Sequence, residues 1–375
     1  MQLDECRKKI DGIDERIRKL LEERIKVSSE VAQFKAENDL PVYVPERESE
    51  KLKVLTENAG SRFEELALKE IFSQIMAISR KKQYQILEDN SRIARPSFEE
   101  VESLFFDSMR ICYQGAEGSY SEEAAADFFK DRGSLFHVDT FRDAMAAIEE
   151  GRADYAVLPL ENSTAGSIRE NYDLLSRFEN YIVGEKILKV RQCLMAPEGA
   201  VIDGIRTVYS HPQSLMQCER FLSGHPGWKQ VSMKNNAYAA ARVAGDKDLS
   251  QAAIASARAA GLYGLHILQE EINHEKNNAT RFIVVSGRKI FMKGAGKISI
   301  MLEIPHTSGS LYGILSHFIY NGLNMTRIES RPIEDRAFEY CFFIDFEGNL
   351  NDASVRNALR GLRDEARSLK VLGNY

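Results

Sequence analysis

The chain has 375 residues, of which 43% are hydrophobic and 28% charged, and its formal net charge at pH 7 is -6. At roughly 100 to 200 residues per domain this length predicts two or three domains, and the composition is that of a folded protein. The acidic balance argues against a nucleic-acid or membrane-surface binder, because both need a basic surface.

The cysteines and the opening segment indicate where the chain works. Its five cysteines are scattered, odd in number and never form a CxxC pair, so we expect reduced thiols and no zinc site. The opening run MQLDECRKKIDGID is charged and amphipathic, unlike a signal peptide, and no later apolar run is long enough to span a bilayer. We therefore expect a cytoplasmic protein without metal or other cofactor.

An apolar stripe at alternating steps of three and four residues predicts one long amphipathic helix over residues 3–36. Arg24 interrupts this stripe, and an arginine on a buried face needs an anionic partner. Pro41 and Pro45 end the pattern, and a short helix is predicted from about Glu46. The first helix therefore carries one side chain that suggests an anion site.

Ser61 and Glu64 form a capping box that predicts the start of a third helix. Ser79 and Gln83 then lie on the apolar face of that helix at helical spacing. Arg7 and Lys35 share a face of the first helix, but at ~1.5 Å per residue they lie about 42 Å apart. Either they are solvated side chains, or an antiparallel second chain brings its Arg7 to the same site, which implies a dimer.

The run RKKIDGIDERIRKLLEERIKVSSEVAQFKAENDLPV, followed by PERE, resembles the signature of the all-helical chorismate mutases over residues 1–90. Lys35 and Gln83 are the catalytic residues that this resemblance implies. Val44 stands where close relatives carry an aspartate, so that contact is absent or replaced. The implied contacts with chorismate are Arg7 of the partner subunit, Arg24 and Arg47 on the carboxylates, Lys35 and Gln83 on the ether oxygen, Glu48 on the ring hydroxyl, and Ser79 nearby.

A weakening of the helical pattern around Pro96 predicts a linker over residues 91–107 and a second domain over residues 108–288. The strand-like runs RICYQG, ADYAVLPL, TVYSHP and AAIAS alternate with helical patterns, which predicts an α/β domain. Ligands in such folds bind at the carboxyl ends of the strands. Those ends read GAEGSYS, ENSTAGS, SHPQS and SAR, although each motif alone also fits ordinary helix caps and turns.

The motifs ENSTAGS, SHPQSLMQC and NNATRF, in that order, resemble the prephenate dehydratases over residues 108–286. The resemblance implies two α/β lobes similar to periplasmic binding proteins, with prephenate between them. It places nine residues in this cleft, namely Glu161, Asn162, Ser163, Thr164, Ser210, Gln217, Thr280, Arg281 and Phe282.

Thr280 is the donor that the family resemblance implies for the leaving hydroxyl of prephenate. Because threonine is a weak acid, we expect it to act within a hydrogen-bonded relay, and Glu161 and His211 stay open as alternative proton sources. Arg281 is better suited to anchor the carboxylate that prephenate retains.

The last section, residues 296–375, shows the pattern strand, helix, strand, strand, helix, strand, which is the ferredoxin-like order. The run GSLYGILSHFIYNGLNMTRIESRP resembles the ACT domain of prephenate dehydratases, with Ser310 at a place often held by alanine. A plain dimerisation module is the alternative. The residues that the resemblance implies for a phenylalanine pocket between paired domains are Gly309, Ser310, Leu311, Glu329, Ser330, Arg331 and Pro332.

We therefore expect a multidomain chain with an all-α mutase domain, a two-lobed α/β dehydratase domain and an α+β ACT domain. Its expected function is bifunctional: chorismate is rearranged to prephenate, which is then converted to phenylpyruvate under feedback by phenylalanine. A homodimer or tetramer is expected. The alternatives are a non-catalytic amino-acid receptor, a fusion with one active domain, and arogenate as an additional substrate.

Overall fold

The computed structural model describes residues 3–38, 40–89, 97–130, 132–333 and 336–375. The chain forms two compact units, the first from Met1–Ser97 and Gly296–Val371, the second from Phe98–Ala295 and Leu372–Tyr375. No helix among the described residues is long and apolar enough to cross a membrane. The predicted linker lies partly outside the described residues, since residues 91–96 are not among them.

Three helices form the N-terminal part of the first unit: α1 (Leu3–Glu37), α2 (Pro45–Thr56) and α3 (Arg62–Asp89). Helix α2 begins at Pro45. A proline suits the first turn of a helix because the N–H that it lacks would have no helical partner there. The backbone N–H of Glu64 donates to Ser61 Oγ at 3.2 Å, which confirms the predicted N-terminal cap of α3.

Helix α1 packs against α3 but leaves most of its apolar stripe exposed. Its buried residues are Ser28 and Ala32. The exposed apolar side chains of the stripe are Ile10, Ile13, Ile17, Leu20, Val27, Val31 and Phe34. Contiguous apolar surface of this kind marks an interaction site, because its exposure to water is unfavourable.

The second unit alternates strands and helices. In chain order its elements are β1 (Glu99–Val101), β2 (Arg110–Gln114), α4 (Tyr120–Phe129), β3 (Ser134–Val138), α5 (Phe141–Glu149), β4 (Tyr155–Asn162), β5 (Gly166–Ser167), α6 (Arg169–Arg177), β6 (Tyr181–Lys189), β7 (Cys193–Ala196), β8 (Thr207–Ser210), α7 (Pro212–Gln217), α8 (Glu219–Leu222), β9 (Lys229–Ser232), α9 (Asn236–Asp246), β10 (Gln251–Ala255), α10 (Ala257–Tyr263), β11 (His266–Gln269), β12 (Ala279–Ser286) and β13 (Ile290–Met292).

These elements build two lobes, each around its own sheet, as predicted. One sheet has the order β6-β12-β4-β2-β3, and the other has the order β11-β7-β10-β8-β9. Strands β2, β3 and β4 are parallel, whereas β12 runs antiparallel to both β4 and β6. Separate clusters of buried apolar side chains lie in the two lobes, so each lobe has its own core.

The C-terminal part of the first unit has the predicted βαββαβ order. Its elements are β14 (Lys297–Glu303), α11 (Ser310–Tyr320), β15 (Met325–Pro332), β16 (Tyr340–Glu347), α12 (Ala353–Glu365) and β17 (Ser368–Asn374). In the sheet the strands stand in the order β15-β16-β14-β17, which is the ferredoxin-like order. We call this part the C-terminal fold.

Helices α11 and α12 approach closely at Gly361. A Cβ atom at this position would overlap the ring of His317, and that ring is fully buried and cannot move aside. We therefore expect Gly361→Ala to lower the free energy of unfolding by about 1–3 kcal/mol, the usual cost of overpacking a core. Urea denaturation would measure this loss.

The matched control is Gly245→Ala in α9, where a Cβ atom would meet nothing within 4 Å. There alanine should stabilise the helix by roughly 0.5–1 kcal/mol. Equal effects of the two substitutions would contradict the packing described at Gly361.

Candidate functional site

The first unit contains a cavity of about 600 Å³ between α1, α2 and α3. Ser79 and Gln83 line it from α3 at the spacing that the sequence predicted, and both are buried. Six of the seven residues predicted to contact chorismate line this cavity, namely Arg24, Lys35, Arg47, Glu48, Ser79 and Gln83. The three helices therefore bring together side chains that are up to 59 positions apart in the sequence.

Hydrogen bonds hold the polar side chains of this cavity. Arg24 donates to the backbone oxygen of Ile75 at 3.2 Å and to the hydroxyl of Ser79. Lys35 Nζ donates to the backbone oxygen of Val42 at 2.7 Å, which leaves two of its three hydrogens for other acceptors. The buried Gln83 Oε1 has no hydrogen-bond partner among the described atoms.

The cavity carries an excess of positive charge. Its lining includes two carboxylates, Glu48 and Glu50, and five cationic side chains, Arg24, Lys35, Arg47, Lys51 and Arg80. Burial lowers the pKa of Arg24 and of Lys35, and the nearby charge of Glu48 only partly opposes that effect. An anionic ligand would relieve this desolvation cost, so the cavity favours a carboxylate-bearing molecule.

Three other residues differ from the sequence-based expectation for this cavity or were not part of it. Arg7 does not line it; its exposed guanidinium pairs with Asp4 at 3.3 Å. Val44 lines the cavity at the N-cap position of α2, where its side chain makes no capping hydrogen bond. Arg80 also lines it, and sequence reasoning missed this residue because the run RKK has the composition of a solvated helix face.

The second unit contains a cavity of about 310 Å³ lined from both lobes. Four of the nine residues predicted to contact prephenate line it, namely Asn162, Gln217, Thr280 and Phe282. Asn162 and Thr280 are direct neighbours on the antiparallel strands β4 and β12. Strand pairing therefore places Thr280, the predicted donor, next to Asn162 of the motif ENSTAGS.

A hydrogen-bonded chain leads from Gln217 to Thr280. Gln217 Nε2 donates to Thr164 Oγ1 at 3.2 Å, and Thr164 Oγ1 donates to Asn162 Oδ1 at 2.7 Å. Asn162 Nδ2 donates to Thr280 Oγ1 at 2.9 Å and to Asn278 Oδ1 at 2.8 Å. Because Thr280 Oγ1 accepts from Asn162, its own hydrogen can be donated to a ligand.

The N-termini of four helices border the second cavity. Its lining includes the capping residues of α4, α7, α9 and α10, which are Ser119, His211, Asn235 and Ser256. Each cap accepts one N–H of its own helix, and the helix dipole together with the remaining N–H groups favours an anion at such ends. No lysine or arginine occurs among the described residues that line this cavity.

His211 lines the cavity and is also the N-cap of α7. The sequence had left ordinary helix capping open as the role of the motif SHPQS. Its Nδ1 accepts from the backbone N–H of Gln213 at 3.2 Å, so the neutral ring carries its hydrogen on Nε2. Burial lowers the pKa of His211. Burial therefore favours the neutral imidazole, whose Nε2 hydrogen can be donated to a ligand.

Arg281 and Glu161 do not line the cavity, although both were predicted to lie in it. Successive side chains of a strand point to opposite faces, so Arg281 lies on the other face of β12 from Thr280. There its Nε donates to Glu185 at 2.9 Å and its Nη2 donates to Tyr375 Oη at 2.7 Å. Glu161 stands opposite Arg281 in the strand register.

Three further predicted residues support the second cavity without lining it. Ser163 Oγ accepts from the N–H of Ala279 at 3.0 Å. The buried Ser210 Oγ lies 3.0 Å from Asn236 Oδ1, and Thr164 belongs to the chain that ends at Thr280. Sequence reasoning missed Asn235 and Asn236, which follow β9; their signal was an asparagine cap before a helical pattern.

The C-terminal fold contains a cavity of about 490 Å³ at the start of α11. Gly309, Ser310 and Leu311 line it, together with Tyr340 from β16. The other residues predicted for a phenylalanine pocket lie on β15 and do not line it; they are Glu329, Ser330, Arg331 and Pro332. A single chain therefore brings only part of that set together.

Comparisons with known proteins agree with this division of the chain. The chorismate mutase type II family matches residues 6–84, and the prephenate dehydratase family matches residues 111–290. A bifunctional chorismate mutase/prephenate dehydratase from Aquifex aeolicus is 32% identical over 378 residues, which cover 100% of this chain and 98% of that relative.

Two further comparisons cover the dehydratase. Arogenate dehydratase/prephenate dehydratase 2 from Arabidopsis thaliana is 38% identical over 306 residues, which cover 78% of this chain and 80% of the relative. The solved structure of prephenate dehydratase from Arthrobacter aurescens in complex with L-Phe is 28% identical, with a TM-score of 0.66, and the match covers 71% of this chain and 89% of that one.

The stretches of chain that line the helical cavity and the two-lobed cavity thus match two different enzyme families. The bifunctional relative from Aquifex aeolicus matches this chain over its whole length, so it contains both regions in the same order. The chain belongs to the bifunctional chorismate mutase/prephenate dehydratase family and is an enzyme of phenylalanine biosynthesis that acts on chorismate and on prephenate.

Proposed function

We propose that the cation-rich cavity of the first unit is the chorismate mutase site. The observation that carries this proposal is the excess of cations over carboxylates in a partly buried cavity, because chorismate is a dicarboxylate. Arg24 and Arg47 bind its carboxylates, and Ser79 holds the Arg24 guanidinium. Glu48 accepts from the ring hydroxyl.

Lys35 and Gln83 are the catalytic residues of this proposed site. The rearrangement of chorismate is intramolecular and needs no nucleophile and no net proton transfer, so the site must fix the reactive conformer and stabilise developing charge. Lys35, held by its bond to Val42, presents its remaining hydrogens to the ether oxygen. Gln83 contributes a neutral amide donor that does not titrate.

A second copy of the chain completes this site in our proposal. Arg7 lies 17 residues before Arg24 on the same helix, about 25 Å away at ~1.5 Å per residue. The exposed stripe on α1 would be covered by an antiparallel α1 of the partner subunit. That arrangement would bring Arg7 of the partner subunit to the cavity, so we propose a homodimer, which could pair further into a tetramer.

Lys35→Ala should lower the mutase turnover by ~100 to 1,000-fold, the usual loss when one transition-state donor is removed. Gln83→Ala should have the same kind of effect. Dehydratase activity on prephenate should persist in both variants. Initial rates with chorismate and with prephenate, measured separately, test this prediction.

The matched controls are Lys53→Ala on α2 and Gln85→Ala on α3, because neither side chain lines the cavity. Both controls should retain the mutase activity. A Lys35→Ala enzyme with wild-type turnover would refute the assignment.

We propose that the second unit binds prephenate in the cavity between its lobes, with Thr280 as the donor to the leaving hydroxyl. Hydroxide is a poor leaving group and needs a proton or a strong hydrogen bond as it departs. The chain from Gln217 through Thr164 and Asn162 orients the Thr280 hydroxyl for that role. His211 Nε2 is the second donor in the same cavity.

The helix N-termini anchor the prephenate carboxylates in this proposal. One carboxylate leaves as carbon dioxide, so a cation that held it firmly would stabilise the ground state more than the transition state. Partial charges at helix ends bind a carboxylate less firmly than a guanidinium does. We do not assign the anchor to Arg281, because its guanidinium is occupied by Glu185 and Tyr375.

Thr280→Val, which is nearly isosteric but lacks the hydroxyl, should lower the dehydratase turnover by ~100 to 10,000-fold, the range for a lost acid or base. Mutase activity on chorismate should stay unchanged, because its proposed site lies in the other unit. Coupled assays for prephenate and phenylpyruvate measure the two activities.

Thr207→Val in β8 is the matched control, since Thr207 does not line the cavity. It should leave both activities intact. If Thr280→Val removed both activities equally, misfolding would explain the loss and the proposed role would fall.

We propose further that the C-terminal fold is an ACT domain that binds phenylalanine and inhibits the enzyme. The cavity at the start of α11 supports this proposal, since Gly309 caps the helix with a φ of +83° and leaves backbone N–H groups open to a ligand carboxylate. The Arthrobacter aurescens relative was solved with L-Phe. The residues on β15 would reach the ligand from a paired domain.

Our proposed domain boundaries are residues 1–90, 108–288 and 296–375, with a linker over residues 91–107. We place the chain in the cytoplasm, and the similarity to an arogenate dehydratase/prephenate dehydratase keeps arogenate open as an additional substrate. A plain dimerisation module stays the alternative for the C-terminal fold.

Phenylalanine should bind the full-length protein in calorimetry and inhibit its dehydratase activity. Gly309→Ala should weaken that binding, because alanine disfavours the positive φ of this helix cap. The matched control is Gly322→Ala at the other end of α11, which also has a positive φ and open space around it. If millimolar phenylalanine neither bound nor inhibited, the dimerisation module would replace the sensing proposal.

A further inference from the structure

Arg80 lies between two carboxylates of the first unit, one in the mutase cavity and one on α12. Its Nη1 donates to Glu48 Oε1 at 2.5 Å, and its Nη2 and Nε donate to Glu365 Oε1 at 2.8 and 3.1 Å. The guanidinium carbon lies 4.7 Å from the centre of the Tyr43 ring. Only 10% of the Arg80 side chain is exposed, so protein contacts fix its position.

The second carboxylate oxygen of Glu365 lies close to His317. Its Oε2 lies 3.2 Å from His317 Nε2, at ion-pair distance although the ring is not aligned for a hydrogen bond. Burial alone would raise the pKa of Glu365, but His317 and then Arg80 outweigh burial and lower this pKa to about 2. Glu48, Arg80 and Glu365 therefore form a continuous series of paired charges, which we call the charge row, and His317 lies beside Glu365.

Two further bonds join α3 to the C-terminal fold beside the charge row. Lys81 Nζ donates to Ser316 Oγ at 2.8 Å, and Tyr84 Oη donates to Asp364 Oδ2 at 2.7 Å. Asp364 thus belongs to the same helix and the same contact as Glu365. None of the bonds described for Asp364 reaches Arg80 or Glu48.

The charge row couples the position of Glu48 to that of α12. Two carboxylates fix the position of a buried guanidinium that is hydrogen-bonded to both. If one carboxylate is lost, the positive charge of the guanidinium is balanced by the other carboxylate alone. If Glu365 were neutral or displaced, Arg80 would move relative to Glu48. The Glu48 carboxylate would then present its oxygens to the cavity at a different angle.

We propose that Arg80 is a positioning residue for Glu48 and that Glu365 of the C-terminal fold holds Arg80 in place, which makes this fold a structural part of the mutase site. The proposal rests on the proposed role of Glu48 in binding chorismate. It adds two residues outside the chorismate contacts and a route by which a shift of α12 alters the mutase.

Glu365→Gln in the full-length enzyme tests this proposal, because glutamine keeps the shape and removes the charge. We expect the KM for chorismate to rise about tenfold, within the range for residues that share one charge network. The mutase kcat should change less, since a contact made equally in the ground and transition states affects KM alone. Dehydratase kinetics on prephenate should stay unchanged.

The matched control is Asp364→Asn, which removes a carboxylate from the adjacent position of α12. It should leave the KM for chorismate unchanged, because Asp364 contacts Tyr84 and not Arg80. If the two variants behaved alike, the charge row would have no special role and the proposal would be overturned.

A double substitution separates this inference from the proposed function. In a Glu48→Gln enzyme, Glu365→Gln should have no further effect on the mutase KM, because it acts through Glu48; a further tenfold rise would contradict the proposal. If Glu48→Gln alone left the mutase unaffected, the proposed role of Glu48 would itself be wrong.

Only 13% of the Glu365 side chain is exposed, so a second variant guards against a Glu365→Gln enzyme that does not fold. Arg80→Lys is the second test of the positioning role. Lysine keeps the positive charge but lacks the planar guanidinium that can donate to two carboxylates at once. This variant should raise the KM for chorismate while dehydratase activity persists. A wild-type KM in Arg80→Lys would overturn the proposal.

Discussion

Burial of positive charge without enough negative charge is the constraint on which the first unit depends. Arg24, Lys35 and Arg80 are partly or fully buried where helices α1, α2 and α3 meet, and burial lowers the pKa of Arg24 and of Lys35. Such a cavity favours an anionic ligand, because an anion offsets the desolvation cost of buried cations. In our proposal that ligand is chorismate, and the offset contributes to its affinity.

In our proposal the two cavities bind anions by different physical means, and the difference matches their reactions. The proposed mutase cavity offers guanidinium and ammonium groups, and chorismate keeps both of its carboxylates throughout the rearrangement. The proposed dehydratase cavity offers helix N-termini and amide side chains, and prephenate must release one carboxylate. Weaker, dispersed positive potential leaves that departure possible.

Local patterns allowed much of the fold to be predicted. The stripe of α1, the Ser61 cap of α3 and the βαββαβ order of the C-terminal fold all depend on short-range periodicity or capping. The antiparallel position of β12 between β4 and β6 was not predicted, because it pairs residues that are 90 to 129 positions apart in the sequence and no local signal encodes such pairing.

The same limit applies to the sites. Ser79 and Gln83 could be identified because polar residues on an apolar helix face are anomalous. Arg281 was expected in the cavity because the family resemblance implied it and a guanidinium suits a carboxylate, yet successive side chains of β12 point to opposite faces, and Arg281 lies on the face away from Thr280. Arg80 resembled a solvated residue of the run RKK, and its two carboxylate partners become evident only in the folded chain.

The most direct test of two independent sites in one chain is a complementation assay with chorismate as the only substrate. One enzyme carries Lys35→Ala, the other carries Thr280→Val, and phenylpyruvate is followed over time for each alone and for an equimolar mixture. We expect little product from either variant alone and rapid formation by the mixture, because prephenate released by one enzyme is used by the other. A mixture as slow as its components would contradict the presence of two independent sites.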